Sequence, residues 1–342
     1  MNVAIVFDST FPADPSYYDE VYDEVMAPGY EGEPDPEYQI AAALRERGHT
    51  VKLLGAHDDP MAVMHHLREE PVDMVWNSSE GFGTIDSLDF LLPALLDAEG
   101  VPYTGASPQC LMVTRNKAMT KKVLAHHNIE VPRFLTYRIG EGLRDDDEFF
   151  FPAIVKPMRL DASQGISKAS VVYDREALEL RVQFVHEKLH DAAIVEDYIE
   201  GRELYVSVIG NGDDLTILPT VELLFDPDKN KPEDRIATKK KKWKDQYGKK
   251  PKVRQVFARP ISALAKERIE HTCLAGFRAL WLRDFARFDL RLDAEDRVWV
   301  LEANANPYPS KGHEIANAAK KAGMEYSEFI ETILKLAVAR VA

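Results

Sequence analysis

The opening hundred-odd residues alternate short apolar runs with amphipathic stretches, and this rhythm restricts the fold more than any other feature. "NVAIVF", "VKLLGA", "VDMVWN" and "VPYTGA" read as buried strands. "PEYQIAAALRERGHT", "PMAVMHHLREE" and "LDFLLPALLDAEG" lie between them and read as helices, the first closed by Gly48 as C-cap. Strands separated by helices return in the same direction, so an open parallel sheet with helices packed on it is expected. One segment interrupts the rhythm. From Asp8 to Glu37 the chain mixes acids, aromatics and prolines and has no Lys or Arg. A solvated loop is the simpler expectation. A lid or subunit contact over a site for a cationic group is the other.

Beyond this unit the pattern changes. A cationic helix, "TRNKAMTKKVLAHHN", leads into "VPRFLTYRI", "FPAIVKPM", "SKASVVYD", the helix "REALELRVQFVHEKLH" and the strand "AAIVEDYI". Then "RELYVSVIGNGDDLTILPTVELLF" reads as antiparallel strands around a Gly-Asn-Gly turn. The polar run 226–252 is too long for a plain connector and is expected to be a functional or disordered loop. "ISALAKERIEHTCLAGFRAL" and "EYSEFIETILKLAVARV" are helices around a β-hairpin. Three units follow: 1–113, 114–198 and 199–342.

Composition excludes some function classes. With 43 Lys and Arg against 57 Asp and Glu, the net charge of −14 argues against nucleic acid as partner. Cys110 and Cys273 are far apart without metal-site spacing and are expected as buried thiols. No apolar run reaches the roughly 20 residues of a membrane span. The start has no basic segment, so a cytoplasmic protein without membrane partners is expected. His65–His66 and His126–His127 lack acidic or Cys partners at metal spacing and read as structural or surface residues.

The hairpin "RFDLRLDAEDRVWVLEANANP" holds the densest chemistry. Arg287, Asp289 and Arg291 alternate with Phe288, Leu290 and Leu292, so they share one face. Glu302 and Asn304 share a face of the returning strand. A four-residue turn over 293–296 would place Arg287 opposite Glu302, with Asp289 diagonal to Glu302 at roughly 7–8 Å. Two carboxylates and an amide carbonyl are hard oxygen donors suited to Mg²⁺ that bridges phosphates. A salt-bridged sheet face is the alternative. The stretch "VKPMRLDASQGISK" raises a related question: small residues between two lysines resemble a phosphate-gripping loop with few glycines.

These residues resemble a family. "RFDLRL" followed by "VLEANANP" is similar to the metal end of ATP-grasp enzymes, specifically D-alanine–D-alanine ligase-like proteins. "VPYTGASP", "TRNKAMTKKVL", "FPAIVKP", "IVEDYIEGRELYVSVIG" and the closing helix match that family in order, over roughly residues 70–342. The resemblance implies an α/β ATP-grasp fold: an N-terminal parallel-sheet domain and two α+β lobes clamping ATP. It implies that Lys117 and Lys156 contact nucleotide phosphates under a flap containing Ser163 and Gly165. Glu196 and the backbone of Ile199 would hold adenine beside the wall residue Tyr198, and Glu203 would bind the ribose. Asp289, Glu302 and Asn304 would hold two Mg²⁺ ions, or Mn²⁺ in their place. Arg287 would stabilise an oxyanion, and Lys242 would close on the γ-phosphate from the polar run. Lys239 to Lys241 read equally as an anion patch or a solvated cluster.

The sequence also departs from the family pattern. Leu160 and Ala162 stand where the family has Glu and Ser, Trp243 where it has Tyr, and Tyr308 where it has Gly. "SKGHEIAN" replaces the usual serine-containing segment. Nucleotide and metal positions are kept while acceptor positions change, which points away from D-alanine. The expected activity is carboxylate–amine ligation through an acylphosphate on an amino acid or small peptide, by a homodimer. Glu80, Tyr308 and Ser310 are the candidate substrate contacts. The dipeptide ligase itself and a non-catalytic ATP-binding protein are the alternatives.

Overall fold

The computed structural model describes residues 1–9, 13–27, 34–81, 88–160, 163–226, 231–237 and 253–341. The first unit contains β1 (Asn2–Asp8), α1 (Tyr17–Glu20), α2 (Tyr22–Val25), α3 (Pro36–Glu46), β2 (Thr50–Ala56), α4 (Pro60–Glu69), β3 (Met74–Asn77) and α5 (Leu91–Glu99). Its strands are parallel in the order β2-β1-β3, as the alternation requires. "VPYTGA" contributes only an isolated bridge from Tyr103 to Val75, because the chain turns away at Gly105. Helix α3 ends with Gly48 at φ 83°, its N–H on Arg45 O at 3.0 Å and the His49 N–H on Leu44 O at 3.1 Å.

The acidic insertion is not a solvated loop over 17–25. Tyr18 packs edge-on against Phe7 at 4.9 Å and fills the space above Gly55. Tyr22 stacks on Tyr38 at 6.0 Å, with the Arg45 guanidinium 3.7 Å from its ring centre. Tyr18 and Tyr22 are four residues apart and share a face on the two short helices. The acids point outward, as Asp19 does toward Arg45 at 2.9 Å.

Where one cationic helix was expected there are two, α6 (Pro108–Arg115) and α7 (Lys117–His126). The break is Asn116, whose side chain leaves the helical path to accept from the Ala118 and Met119 amides, both at 3.1 Å. The central unit is an antiparallel sheet in the order β4-β7-β5-β6: β4 (Phe134–Tyr137), β5 (Ala153–Pro157), β6 (Val171–Val172) and β7 (Ala193–Asp197), backed by α8 (Arg175–Leu189).

The largest sheet contains β8 (Arg202–Asn211), β9 (Asp214–Ile217), β10 (Val221–Leu224), β11 (Arg254–Phe257), β12 (Asp284–Leu292) and β13 (Val298–Asn304). Its order is β11-β10-β8-β12-β13, with β9 also on β8. The edge strand β11, at the end of the polar run, was not foreseen; its exposed pattern gave no apolar alternation. Helices α6, α7 and α9 (Ala263–Ala279) cover one face, with Leu111, Leu124, Cys273 and Phe277 around Phe288 and Leu290. Both cysteines are buried free thiols.

The chain ends with α10 (Glu314–Lys321) and α11 (Tyr326–Val341). Phe329, Ile330, Ile333 and Leu334 of α11 share a core with Ile5, Ile40 and Leu44 of the first unit. One buried carboxylate fastens this return. Asp284, fully buried, accepts from the Gly105 amide at 2.8 Å, from Asn211 Nδ2 at 3.0 Å and from Arg340 at 3.1 and 3.2 Å. Removing the acid would leave Arg340 and the Gly105 amide uncompensated. Asp284→Ala should therefore lower unfolding stability by about 3–5 kcal/mol, measured by urea denaturation, and a loss below about 1 kcal/mol would contradict this role.

Candidate functional site

An open cleft of about 710 Å³ lies between the central and large sheets. Its lining includes Lys117, Lys156, Ser163, Glu196, Tyr198, Ile199, Glu203, Asp289 and Glu302. Strands β5 and β7 supply Lys156 and Glu196, which face each other because Lys156 pairs with Ile194 and Glu196 with Ile154 in antiparallel register. Glu196 is 1% exposed; Lys156 Nζ lies 2.8 Å from its Oε2 and Lys121 Nζ 3.4 Å from its Oε1. Burial raises the Glu196 pKa, but the two ammonium groups outweigh this and hold it below its ordinary value. Glu196 Oε1 completes no hydrogen bond. It is a buried acceptor in the cleft wall, placed to receive an amino group.

Lys117 opens α7 and reaches Leu160 O at 2.7 Å and Glu302 Oε1 at 3.3 Å. It therefore ties the flap after β5 to the large sheet. The base of the flap is fixed by Asp191, which accepts from the Arg159 amide at 2.7 Å and from Arg159 Nε at 2.9 Å. Ser163 faces the cleft. Gly165, at φ 70°, lies off it: its carbonyl accepts from Arg181, and Leu189 fills the space where a Cβ would stand.

The hairpin register differs from the sequence expectation. Leu292 pairs with Val298, so the turn is a residue longer than four. A bulge then inserts Leu301, because Val300 donates its amide to Glu130 O at 2.9 Å instead of continuing the ladder. The two single-residue changes add to a shift of two, which preserves the face. Asp289 is thus directly opposite Glu302, not diagonal to it, and Arg287 is opposite Asn304. Asn304 Nδ2 lies 3.3 Å from Asp289 Oδ1. Arg287 donates from Nε to Asp289 at 2.7 Å and approaches Glu314 at 3.6 Å, so its partners are not Glu302.

Among the described residues no group of three His, Cys, Asp or Glu side chains forms a metal site. The candidate set is instead two carboxylates and an amide. These hard oxygen donors, adjacent across two strands beside Lys117, fit Mg²⁺. Lys242 and Trp243 lie outside the described residues, as does Ala162. Glu80 is exposed on the loop after β3, where Asp8 accepts its amide at 2.7 Å. Tyr308 and Ser310 follow β13, with Ser310 buried.

With this geometry in hand, the comparisons can be read. The family model "D-ala D-ala ligase C-terminus" matches residues 144–335. The chain belongs to the D-alanine–D-alanine ligase family of ATP-grasp proteins. A D-alanine–D-alanine ligase of Bordetella petrii is 30% identical over 256 residues, 74% of this chain and 73% of that protein. An uncharacterized protein, y4sG of Sinorhizobium fredii, is 30% identical over 342 residues, 98% of this chain and 97% of its own length. The fold is similar to that of the D-alanine–D-alanine ligase of Bacillus anthracis crystallised with ATP (TM-score 0.76, 19% identity, covering 100% of this chain and 98% of that one). It is also similar to the VanG D-Ala:D-Ser ligase of Enterococcus faecalis (TM-score 0.66, 18% identity, 98% and 99% covered). The α/β architecture, with a parallel three-stranded sheet ahead of two antiparallel sheets, is thus that of the ATP-grasp ligases.

Two residues at this family member's cleft were given no role from sequence, Lys121 behind Glu196 and Arg291 in the lining. Lys121 is 1% exposed, donates to Leu301 O at 2.6 Å and has a pKa pushed down to about 8 by burial. Its spacing of four from Lys117, on one helix face, was the available signal. Arg291, 3% exposed, donates to Glu203 at 2.7 Å. Its place two residues after Asp289 put it on the cleft face. No helix among the described residues is long and apolar enough to cross a membrane.

Glu37, in the first turn of α3, is pushed up from 4.5 to about 7, chiefly by burial and then by Asp35, Glu80 and Asp8. Between these values the folded chain holds a proton that the unfolded chain has released. Stability therefore falls as pH rises through this window and levels above it. In melts from pH 4.5 to 8, Glu37→Gln should lack this fall, so its melting temperature should gain on wild type up to about pH 7. A pH-independent difference would refute the assignment.

Proposed function

We propose that the protein is an ATP-dependent carboxylate–amine ligase that forms an amide through an acylphosphate. The donor acid is an amino acid or small peptide, and D-alanine is not its substrate. The observation that carries this reading is the convergence of Lys117, Lys156, Glu196, Glu203, Asp289 and Glu302 on one cleft. The buried acceptor Glu196 Oε1 suits the adenine amino group, with Ile154, Tyr198 and Ile236 as apolar walls. Glu203 faces the ribose, steadied by Arg291. Lys117, Lys156 and the flap at Ser163 face the phosphates.

Along β12 the cleft face runs Arg291, Asp289, Arg287, with each step of two residues about 7 Å. That spacing supports the order sugar, metal, reacting carbonyl. Asp289, Glu302 and Asn304 would hold Mg²⁺, which offsets the charge on the transferring phosphoryl group. A carboxylate is a poor electrophile until phosphorylated, and the acylphosphate then has a good leaving group. Arg287 is aimed at the oxyanion that develops when the amine attacks. Water must be excluded during this interval; Lys242 and the run around it are proposed to close over the site. We further propose the units 1–113, 114–198 and 199–342 as domains, and a homodimer in the cytoplasm.

Glu302→Gln should abolish carboxylate-dependent ADP formation, measured by coupled phosphate release with Mg-ATP over a panel of acids and amines, while leaving the circular dichroism spectrum unchanged. Retained turnover would overturn the metal assignment. Phosphate release on D-alanine alone at millimolar concentration would decide for the dipeptide ligase instead. Tight Mg-ATP binding without turnover on any pair would decide for a binding protein.

A further inference from the structure

Helix α7 grips β13 at two successive residues. Lys117 Nζ reaches the Glu302 carboxylate at 3.3 Å, and Lys121, one turn later on the same helix face, donates to the carbonyl of Leu301 at 2.6 Å. Leu301 is the extra residue of the bulge. In a bulge two residues of one strand oppose one of its partner, and here Leu301 and Glu302 both line the cleft. The bulge thus carries Glu302 level with Asp289 and sets the Leu301 side chain in the wall beside it. It is held from outside the sheet by Lys121 and by Glu130, whose carbonyl accepts from the Val300 amide at 2.9 Å.

The same ammonium has a neighbour on the other side of the cleft wall. Each oxygen of Glu196 has its own lysine: Lys156 Nζ lies 2.8 Å from Oε2, and Lys121 Nζ 3.4 Å from Oε1. Lys121 is close enough to attract Oε1 but completes no hydrogen bond to it, so the oxygen keeps its accepting capacity. Lys121 is 1% exposed. An apolar side chain would fill this place without desolvating a charge, so packing alone does not call for an ammonium here.

We propose that Lys121 is a positioning residue that couples base recognition to metal binding: it pins the bulge that levels Glu302 with Asp289, and it keeps Glu196 turned so that Oε1 faces the base. This rests on the ligase reading above. The two outputs share one ammonium, so they fail together. Without it the Leu301 carbonyl loses its buried donor and the bulge relaxes toward the regular ladder. Glu302 then leaves the row of Asp289, because a shift of one residue changes the face. A cation held by both carboxylates loses a ligand. At the other end Glu196 is left with Lys156 alone and turns toward it, withdrawing Oε1. A carboxylate oxygen accepts from the amino group of adenine and repels the carbonyl that hypoxanthine carries in its place. Withdrawing that oxygen narrows the choice between the two bases.

The test is titration calorimetry on the full chain with non-hydrolysable triphosphate analogues of adenosine and inosine, each with Mg²⁺ and with EDTA. Two affinity ratios are read: adenosine over inosine, and Mg²⁺-loaded over metal-free. Lys121→Met should lower both by about tenfold or more, the worth of one charged hydrogen bond. Glu196→Gln, whose amide offers a donor as readily as an acceptor, should collapse the base ratio and leave the metal ratio. Lys122→Met, at the exposed lysine next in sequence, should leave both. If the orphaned Glu196 charge keeps Lys121→Met from folding, the double variant with Glu196→Gln removes both charges. Its metal ratio should still fall about tenfold below that of Glu196→Gln alone. A uniform loss of affinity with both ratios unchanged would make Lys121 a structural lysine and overturn the proposal. A fall in only one ratio, or wild-type ratios already near one, would overturn it too. Wild type that binds neither analogue would sink the ligase reading itself.

Discussion

The two-sided character of β12 is the constraint from which the rest follows. Phe288 and Leu290 anchor the strand in the helix-covered core, while Asp289 and Arg291 line the cleft and Arg287 continues the same face toward Glu314. A strand cannot shift by one residue without exchanging these faces, so core packing fixes the chemistry in place. The register of the charged groups is therefore as firm as the burial of Phe288, which no water reaches. The bulge at Leu301 works within that constraint. It brings Glu302 level with Asp289 without turning either side chain over.

The cleft itself is an arrangement of desolvated charges. Glu196, Lys121 and Lys156 are each buried and paired in charge, as are Glu203 and Arg291. Charges in such a setting are expensive to create and act at short range with little screening. Lys117 connects this wall to the metal candidates and to the flap, so three sheet and loop elements meet at one ammonium.

Much of this was legible in the sequence because the informative residues sit in regular structure. Alternation along "RFDLRL" identified the cleft face, and the order of motifs identified the fold. What was not legible has physical causes. The turn "DAED" is one residue longer in the structure, since Asp293 caps the Glu295 and Arg297 amides, a local choice invisible to strand periodicity. Asn116 splits a helix through a side-chain cap that composition alone does not force. Lys121 looks like any surface lysine on a cationic helix; only the tertiary placement of Glu196 makes it interior. The aromatics after Asp8 were read as loop because the acids among them masked a short apolar face.

The return of α11 to the first sheet has a consequence for the chain as it is made. The sheet formed by β1, β2 and β3 leaves the ribosome well before α11, yet Phe329, Ile330, Ile333 and Leu334 complete its core. Until those α11 residues emerge, Ile40 and Leu44 lack the surface that covers them. The first unit must therefore wait, partly uncovered, while the two units between are made, and its contacts are of long sequence separation. When α11 arrives, the Asp284–Arg340 contact ties it to β12.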